Sequence, residues 1–110
     1  MSMARGDQLQ GALELLILKT LDRGPNHGFG ITLHVEKVSS GLLRLEEGSL
    51  YPALHRLEKS NLVRGEWRPT ENSRRARFYT LTAAGRRRLS EAETSWTSVA
   101  RGVRKVLRFA

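Results

Sequence analysis

Hydrogen-bond donors are concentrated in two stretches of this 110-residue sequence. The first stretch, residues 47–59, carries them at Ser49, Tyr51, His55, Arg56 and Lys59. The second stretch, residues 64–77, carries five arginines, which are Arg64, Arg68, Arg74, Arg75 and Arg77. Such donors bind phosphate oxygens, and arginine or lysine can also donate to the O6 and N7 acceptors of guanine. Both stretches are therefore candidate contacts to a polyanionic partner.

The first stretch has the spacing of an amphipathic helix. Three leucines recur at i, i+4 and i+7, namely Leu50, Leu54 and Leu57, and they predict a helix within residues 46–60. Because Pro52 is best tolerated in the first turn of a helix, we expect the N-cap at Gly48 or Ser49.

The helix face opposite the leucines carries the candidate contacts. Arg56 and Lys59 are the better candidates for guanine, whereas Ser49 and Tyr51 are better suited to phosphate. His55 lies on the same face. The alternative interpretation is an ordinary solvated helix face that binds nothing.

The arginine-rich stretch predicts a β-hairpin. Residues 63–67 and 77–81 have the composition of short strands, and the polar loop 68–76 between them is rich in turn-forming residues. We expect a basic hairpin that follows the DNA backbone or enters a minor groove. The alternative is an exposed run of charge without a partner.

Two further helices are predicted before these stretches. Residues 9–21 are apolar on nearly every face, which predicts a helix buried on more than one side, with Asp7 as its candidate N-cap. Residues 27–39 form the second helix, whose apolar stripe is predicted to be Ile31, Val35 and Val38. Two glycines at the start of this helix, Gly28 and Gly30, suggest close approach of another backbone.

A last helix is predicted from the candidate N-cap Thr82 to the C-terminus. Its apolar residues recur in a heptad pattern over three repeats, at Leu89, Trp96, Val103 and Ala110 and, offset by three, at Ala92, Val99 and Val106. This pattern predicts a dimer interface formed by Leu89, Ala92, Trp96, Val99, Val103 and Val106. The alternative is that the stripe folds back onto its own domain.

Charge and composition narrow the function classes. The formal net charge is +8, from 19 Lys and Arg against 11 Asp and Glu, and this balance suits a polyanion such as DNA or an anionic membrane surface. The longest strongly apolar stretch, residues 13–18, is too short to span a bilayer, and no signal-peptide core is present. The absence of cysteine is compatible with a cytoplasmic location, which we expect.

Neither catalysis nor a metal or cofactor is expected. His27 and His34 are seven residues apart and lack a third ligand of suitable type. No serine has a base at a recognisable spacing, and the glycines near residue 28 do not complete a dinucleotide-binding fingerprint.

The order helix, helix, helix, hairpin is that of a winged helix-turn-helix. The predicted fold class is therefore mainly α with a small β-hairpin. We expect a DNA-binding domain over residues 1–81 and a C-terminal dimerisation helix over residues 82–110.

The sequence resembles the PadR family of bacterial transcriptional regulators. The most specific string is EGSLYPALHRLE at residues 47–58, and supporting strings occur in the same order at 13–18, 27–31, 74–79 and 81–85. The likeness covers residues 9–108. It implies a winged-helix domain, a C-terminal dimerisation helix and repression of a nearby gene that a ligand or another signal releases. One helix after the hairpin corresponds to the short type of that family.

These observations predict a sequence-specific regulator of double-stranded DNA, acting as a homodimeric repressor on a near-palindromic operator. The alternatives are a protein-interaction module and a nonspecific nucleic-acid binder. Some members of the resembled family bind planar aromatic compounds between their dimerisation helices, so Trp96 is a candidate to stack on a small planar aromatic ligand. Ordinary interface packing is the competing interpretation of Trp96.

Overall fold

The computed structural model describes residues 2–72 and 74–109, with side-chain surroundings from residue 12 onward. The heptad position Ala110 lies outside the described residues. Within these described ranges the elements are four helices and three strands: α1 Ser2–Leu21, β1 Asn26–His27, α2 Gly28–Val38, α3 Glu47–Lys59, β2 Val63–Pro69, β3 Arg75–Leu81 and α4 Ala83–Phe109. The mainly helical class with a small antiparallel sheet is as the sequence predicts.

Helix α1 lies at the centre of the fold and contacts α2, α3, β3 and α4. Its residues Leu13, Ile17, Leu18 and Leu21 are buried, whereas Leu16 is half-buried on another side. This arrangement explains why the helix is apolar on nearly every face. The side chains that are almost completely buried join α1 to the other elements, and they are Ile17, Leu18, Ile31, Leu50, Leu54 and Val63.

The strands form one antiparallel sheet in the order β1-β3-β2. The hairpin β2–β3 pairs over seven residues, from Val63 opposite Leu81 to Pro69 opposite Arg75. Strand β1 has only two residues and pairs with Phe78 and Tyr79 of β3. Strand β1 is not predicted from the sequence, because a two-residue strand carries no periodicity and forms only where β3 lies beside it.

The start of α1 and the end of α2 differ from the predictions. Helix α1 begins at Ser2, so Asp7 lies within the helix and is not its N-cap. Ile31 and Val35 are buried as predicted, but Val38, the last residue of α2, is exposed.

Helix α3 begins earlier than predicted. Its N-cap is Glu46, whose carbonyl accepts from the Leu50 backbone N–H at 2.9 Å. Pro52 therefore lies in the second turn, where its missing N–H leaves the Gly48 carbonyl without its intrahelical donor. Gly48 is exposed, so water can replace that lost hydrogen bond.

Thr82 caps α4 as predicted, and Gly85 fixes how the helix starts. The Thr82 hydroxyl accepts from the Gly85 backbone N–H at 3.0 Å and lies 2.7 Å from the Asn61 carbonyl, to which it donates. A Cβ on Gly85 would overlap the Leu62 carbonyl. Close backbone approach at this glycine therefore allows α4 to pack where the hairpin begins.

Replacing Gly85 with alanine tests this approach. Gly85→Ala should lower the free energy of unfolding by about 1–3 kcal/mol, because the methyl group must displace backbone. Urea denaturation followed by circular dichroism at one fixed protein concentration measures the change. Gly102→Ala is the control on the same helix, since nothing lies within 4 Å of its added Cβ. The control should raise stability by about 0.5–1 kcal/mol, and equal effects of the two changes would contradict the packing described.

Candidate nucleic-acid interface

The outer face of α3 carries all the donors predicted from the sequence. Burial of Leu50, Ala53, Leu54 and Leu57 turns the opposite side of the helix towards solvent. The side chains on that side are all exposed, and they are Ser49, Tyr51, His55, Arg56 and Lys59. The structure thus brings together on one surface every candidate contact of the first stretch.

Tyr51 packs against the start of α2. A Cβ added to Gly28 would lie 2.6 Å from the Cε1 atom of the Tyr51 ring. The predicted close approach at Gly28 therefore involves a side chain, and the prediction of another backbone there is wrong. At Gly30 the neighbour is likewise a side chain, that of Asn26. Contact with Gly28 orients one edge of the Tyr51 ring while the side chain as a whole stays exposed.

His27 has a structural role at the same place. Its side chain is the N-cap of α2, where Nδ1 accepts from the Gly30 backbone N–H at 3.1 Å. Its ring also packs edge-on against Phe78, with ring centroids 5.0 Å apart. Among the described residues no group of three or more potential ligands is placed to hold a metal ion.

The hairpin presents arginines on both of its faces. On one face, the guanidinium groups of Arg75 and Arg77 lie 5.9 and 5.6 Å from the centre of the Trp67 ring. On the other face, Arg68 lies 5.4 Å from the centre of the Phe78 ring. Arginines held over aromatic rings lose fewer side-chain conformations when they meet a phosphate. Arg64, Arg74 and Arg75 are exposed.

Two of the predicted arginines are engaged in ion pairs. Arg68 pairs with Glu66 at 2.5 Å, and its guanidinium holds the pKa of that carboxyl below its ordinary value. Arg77 pairs with Glu58 of α3, also at 2.5 Å, and this carboxylate raises the pKa of Arg77 further above its ordinary value. Both of these arginines are half-buried, and they differ in this from the exposed Arg64, Arg74 and Arg75.

Two residues of this surface, Trp67 and Glu58, are not among the site residues predicted from the sequence. Trp67 is 56 % exposed on the hairpin and faces the same side as Arg75 and Arg77. Directly opposed residues of a hairpin share a face, so strand alternation together with the hairpin register is the sequence signal that could have placed Trp67 beside these arginines. Glu58 could not be found in this way, because its partner is 19 positions away on another element.

A groove of about 790 Å³ lies between α1, residues 42–43 and α4. Its walls are largely apolar and include Leu15, Leu16, Trp96, Val99 and Val103. Ion pairs between Lys19 and Glu93 and between Arg88 and Glu14 connect α4 to α1 beside it.

The heptad residues of α4 differ in burial, which is high near the start of the helix and low in its distal part. Leu89 is 6 % exposed and packs in the core of its own chain, which corrects its assignment to an interface. Ala92 is half-buried and Trp96 is exposed. Val99, Val103 and Val106 are 54, 51 and 63 % exposed and form an apolar stripe along the distal part of α4.

The fold and this surface define a winged-helix DNA-binding protein. Residues 17–91 match the Transcriptional regulator PadR-like family, so the chain belongs to that family. Its members are DNA-binding transcriptional regulators and not enzymes. Within the part of the chain that the structure describes, no helix has the length and apolar character needed to cross a membrane.

Similar proteins come from several bacteria. A transcriptional regulator of Mycobacterium tuberculosis is 35 % identical over 94 residues, which cover 86 % of this chain and 84 % of that protein. A PadR-like transcriptional regulator of Bacillus cereus has 27 % identity and a TM-score of 0.79, covering 94 % of this chain and 99 % of the other. A PadR family regulator of Eggerthella lenta has 28 % identity and a TM-score of 0.78, covering 99 % and 93 % of the two chains.

Proposed function

We propose that this chain is a homodimeric repressor that binds a near-palindromic DNA operator through α3 and the hairpin β2–β3. The observation that carries the proposal is the single exposed face of α3, on which five donors lie together. The net charge of +8 supports the same partner, because neutralising phosphates releases condensed counterions. Binding to chromosomal DNA would place the protein in the cytoplasm.

In this proposal α3 is the recognition helix and enters the major groove. Arg56 and Lys59 then donate to guanine, while Ser49 and Tyr51 contact phosphates near the start of the helix. His55 lies between these two groups. The exposed arginines of the hairpin, Arg64, Arg74 and Arg75, follow the backbone or enter the adjacent minor groove.

Dimerisation through α4 completes the proposal. Residues 1–81 form the DNA-binding unit, and residues 82–110 form the dimerisation helix. The exposed valines of α4 support this division, since burying such a stripe against a second copy removes apolar surface from water. With Leu89 assigned to the core, the proposed interface comprises Ala92, Trp96, Val99, Val103 and Val106. Two heads related by a two-fold axis would meet successive major grooves about 34–36 Å apart.

The groove beside α4 supports release by a small planar aromatic ligand. Trp96 is exposed on its wall, and flat rings stack favourably on such a side chain. A ligand of this kind would release the operator only if it bound one arrangement of the two heads more tightly than the other. Ordinary packing of Trp96 at the interface is the competing interpretation.

Selection of bound duplexes from a random DNA library at near-physiological salt tests the central proposal. An enriched, roughly palindromic motif would support sequence-specific binding by a dimer, and its half-site spacing would measure the separation of the heads. Retention of DNA at low salt without enrichment would favour nonspecific binding. No retention at any salt would refute the proposal in favour of a protein-interaction module.

Arg56→Ala should weaken operator binding by about 1–3 kcal/mol and relax specificity at one base pair, because a donor to guanine is lost. Affinities for the selected operator and its single-base variants measure both effects. Arg101→Ala removes the same charge from an exposed position on α4 and should leave the base preference unchanged. A uniform loss across all sequences would instead assign Arg56 to a phosphate.

Val99→Asp or Val103→Asp should break the dimer, because each places a charge within the apolar stripe. Sedimentation velocity gives the oligomeric state, and operator binding should weaken along with the loss of dimer. Ser98→Asp is the matched control, since it adds the same charge at an exposed position off the heptad stripe. A Val99 or Val103 variant that stays dimeric with unchanged affinity would contradict the proposed interface.

Trp96 emission should respond to planar aromatic compounds if the groove holds them. The sequence has two tryptophans, so a Trp67→Phe background makes Trp96 the single emitter. We expect saturable quenching by some members of a diverse aromatic panel and loss of binding in Trp96→Ala, measured by calorimetry. A flat response across the panel would leave interface packing as the role of Trp96.

A further inference from the structure

Arg77 of β3 is joined to the last turn of α3. Its Nη2 donates to Oε2 of Glu58, and the two side chains are 31 and 30 % exposed. This pair connects the proposed recognition helix to the hairpin. The Arg68–Glu66 pair, by contrast, joins two residues of the same strand and makes no such connection.

The Arg77 guanidinium is confined on further sides by β2. A Cβ on Gly65 would lie 2.9 Å from both Nε and Nη2 of Arg77, so the guanidinium lies directly over this glycine. Trp67, which is opposite Arg77 in the hairpin register, covers another side. A guanidinium held between a carboxylate, a bare backbone and an indole ring has little freedom to turn towards DNA.

The position of Arg77 within the sheet gives this pair its mechanical importance. Strand β1 pairs only with Phe78 and Tyr79, so the sheet has three strands as far out as Phe78. Among the described residues from Arg77 outward, the sheet contains only β2 and β3, and an isolated two-stranded ribbon is marginally stable. Arg77 is thus the first residue of the two-stranded part, and the pair with Glu58 supports that part at its base.

We propose that Glu58 and Arg77 are positioning residues that hold the hairpin at a fixed angle to the recognition helix, and that Arg77 does not itself contact DNA. This inference rests on the proposed function and replaces the phosphate contact that the sequence predicts for Arg77. A fixed angle matters because α3 and the hairpin must reach neighbouring grooves at the same time. Ordering them beforehand reduces the entropy lost on binding.

Removing the negative charge of Glu58 should change DNA affinity in opposite directions for a positioning role and for a purely electrostatic effect. Glu58 carries negative charge near the proposed DNA surface, so neutralising it should strengthen binding if Glu58 has no positioning role. If the pair holds the hairpin, Glu58→Gln should instead weaken binding to the selected operator by roughly three- to tenfold, the scale of one ordinary hydrogen bond or one partly exposed ion pair. Glu66→Gln removes the same charge from the hairpin without breaking a link to α3, and it should leave binding unchanged or tighter.

A double-variant comparison adds a second criterion. Glu58→Gln, Arg77→Gln and the double variant should weaken binding to a similar extent, because each removes the same ion pair. If Arg77 contacts phosphate instead, Arg77→Gln alone should weaken binding and reduce the salt slope by about 0.9. In that case Glu58→Gln would not weaken binding, and the proposal would be overturned.

Hydrogen exchange of the full chain without DNA tests the holding role by itself. Glu58→Gln and Arg77→Gln should speed amide exchange at 66–68 and 75–77 while leaving exchange in the core of α1 unchanged, and Glu66→Gln should not reproduce this pattern. Unchanged exchange in the hairpin would overturn the inference. If the wild-type protein selected no duplex, the proposed function would fail, and the exchange measurement would still decide whether the pair holds the hairpin.

Discussion

The orientation of α3 depends on the burial of one apolar stripe. Leu50, Leu54 and Leu57 pack into the core that Ile17 and Leu18 of α1 also form. Because the helix repeats every 3.6 residues, burying this stripe leaves the donors of α3 on the outside. Each fully buried side chain of this kind contributes about 1.5–3 kcal/mol, so turning the helix about its axis would cost several kcal/mol. The apolar side of α3 therefore determines what its polar side can contact.

The hairpin takes its position from elements that are distant in sequence. Strand β1 pairs with β3 next to the core, and Gly85 allows the start of α4 to approach the Leu62 carbonyl just before β2. The Glu58–Arg77 pair adds a connection to α3 at the point where the third strand ends. Each link constrains the same short hairpin from a different side. The arginines near the hairpin tip therefore extend from a part of the hairpin that contacts the rest of the domain.

The surroundings of α4 differ between the two ends of this 27-residue helix. Its first turns belong to the core through Gly85 and Leu89, and ion pairs with α1 continue beside the groove. From Trp96 onward the large apolar side chains are exposed. In the proposed dimer, such a helix would connect a change at its distal part to the DNA-binding head, and the proposed release by a ligand requires this connection.

Local pattern alone was sufficient to predict the helices, the hairpin, the Thr82 cap and the outward face of α3. These features depend on periodicity and capping chemistry, which neighbouring residues encode directly. Strand β1, the burial of Leu89 and the engagement of Arg77 by Glu58 were decided only by the tertiary structure. Each of them depends on which distant element lies alongside. A heptad pattern shows that Leu89 needs an apolar partner, but only packing determines that this partner lies within the same chain.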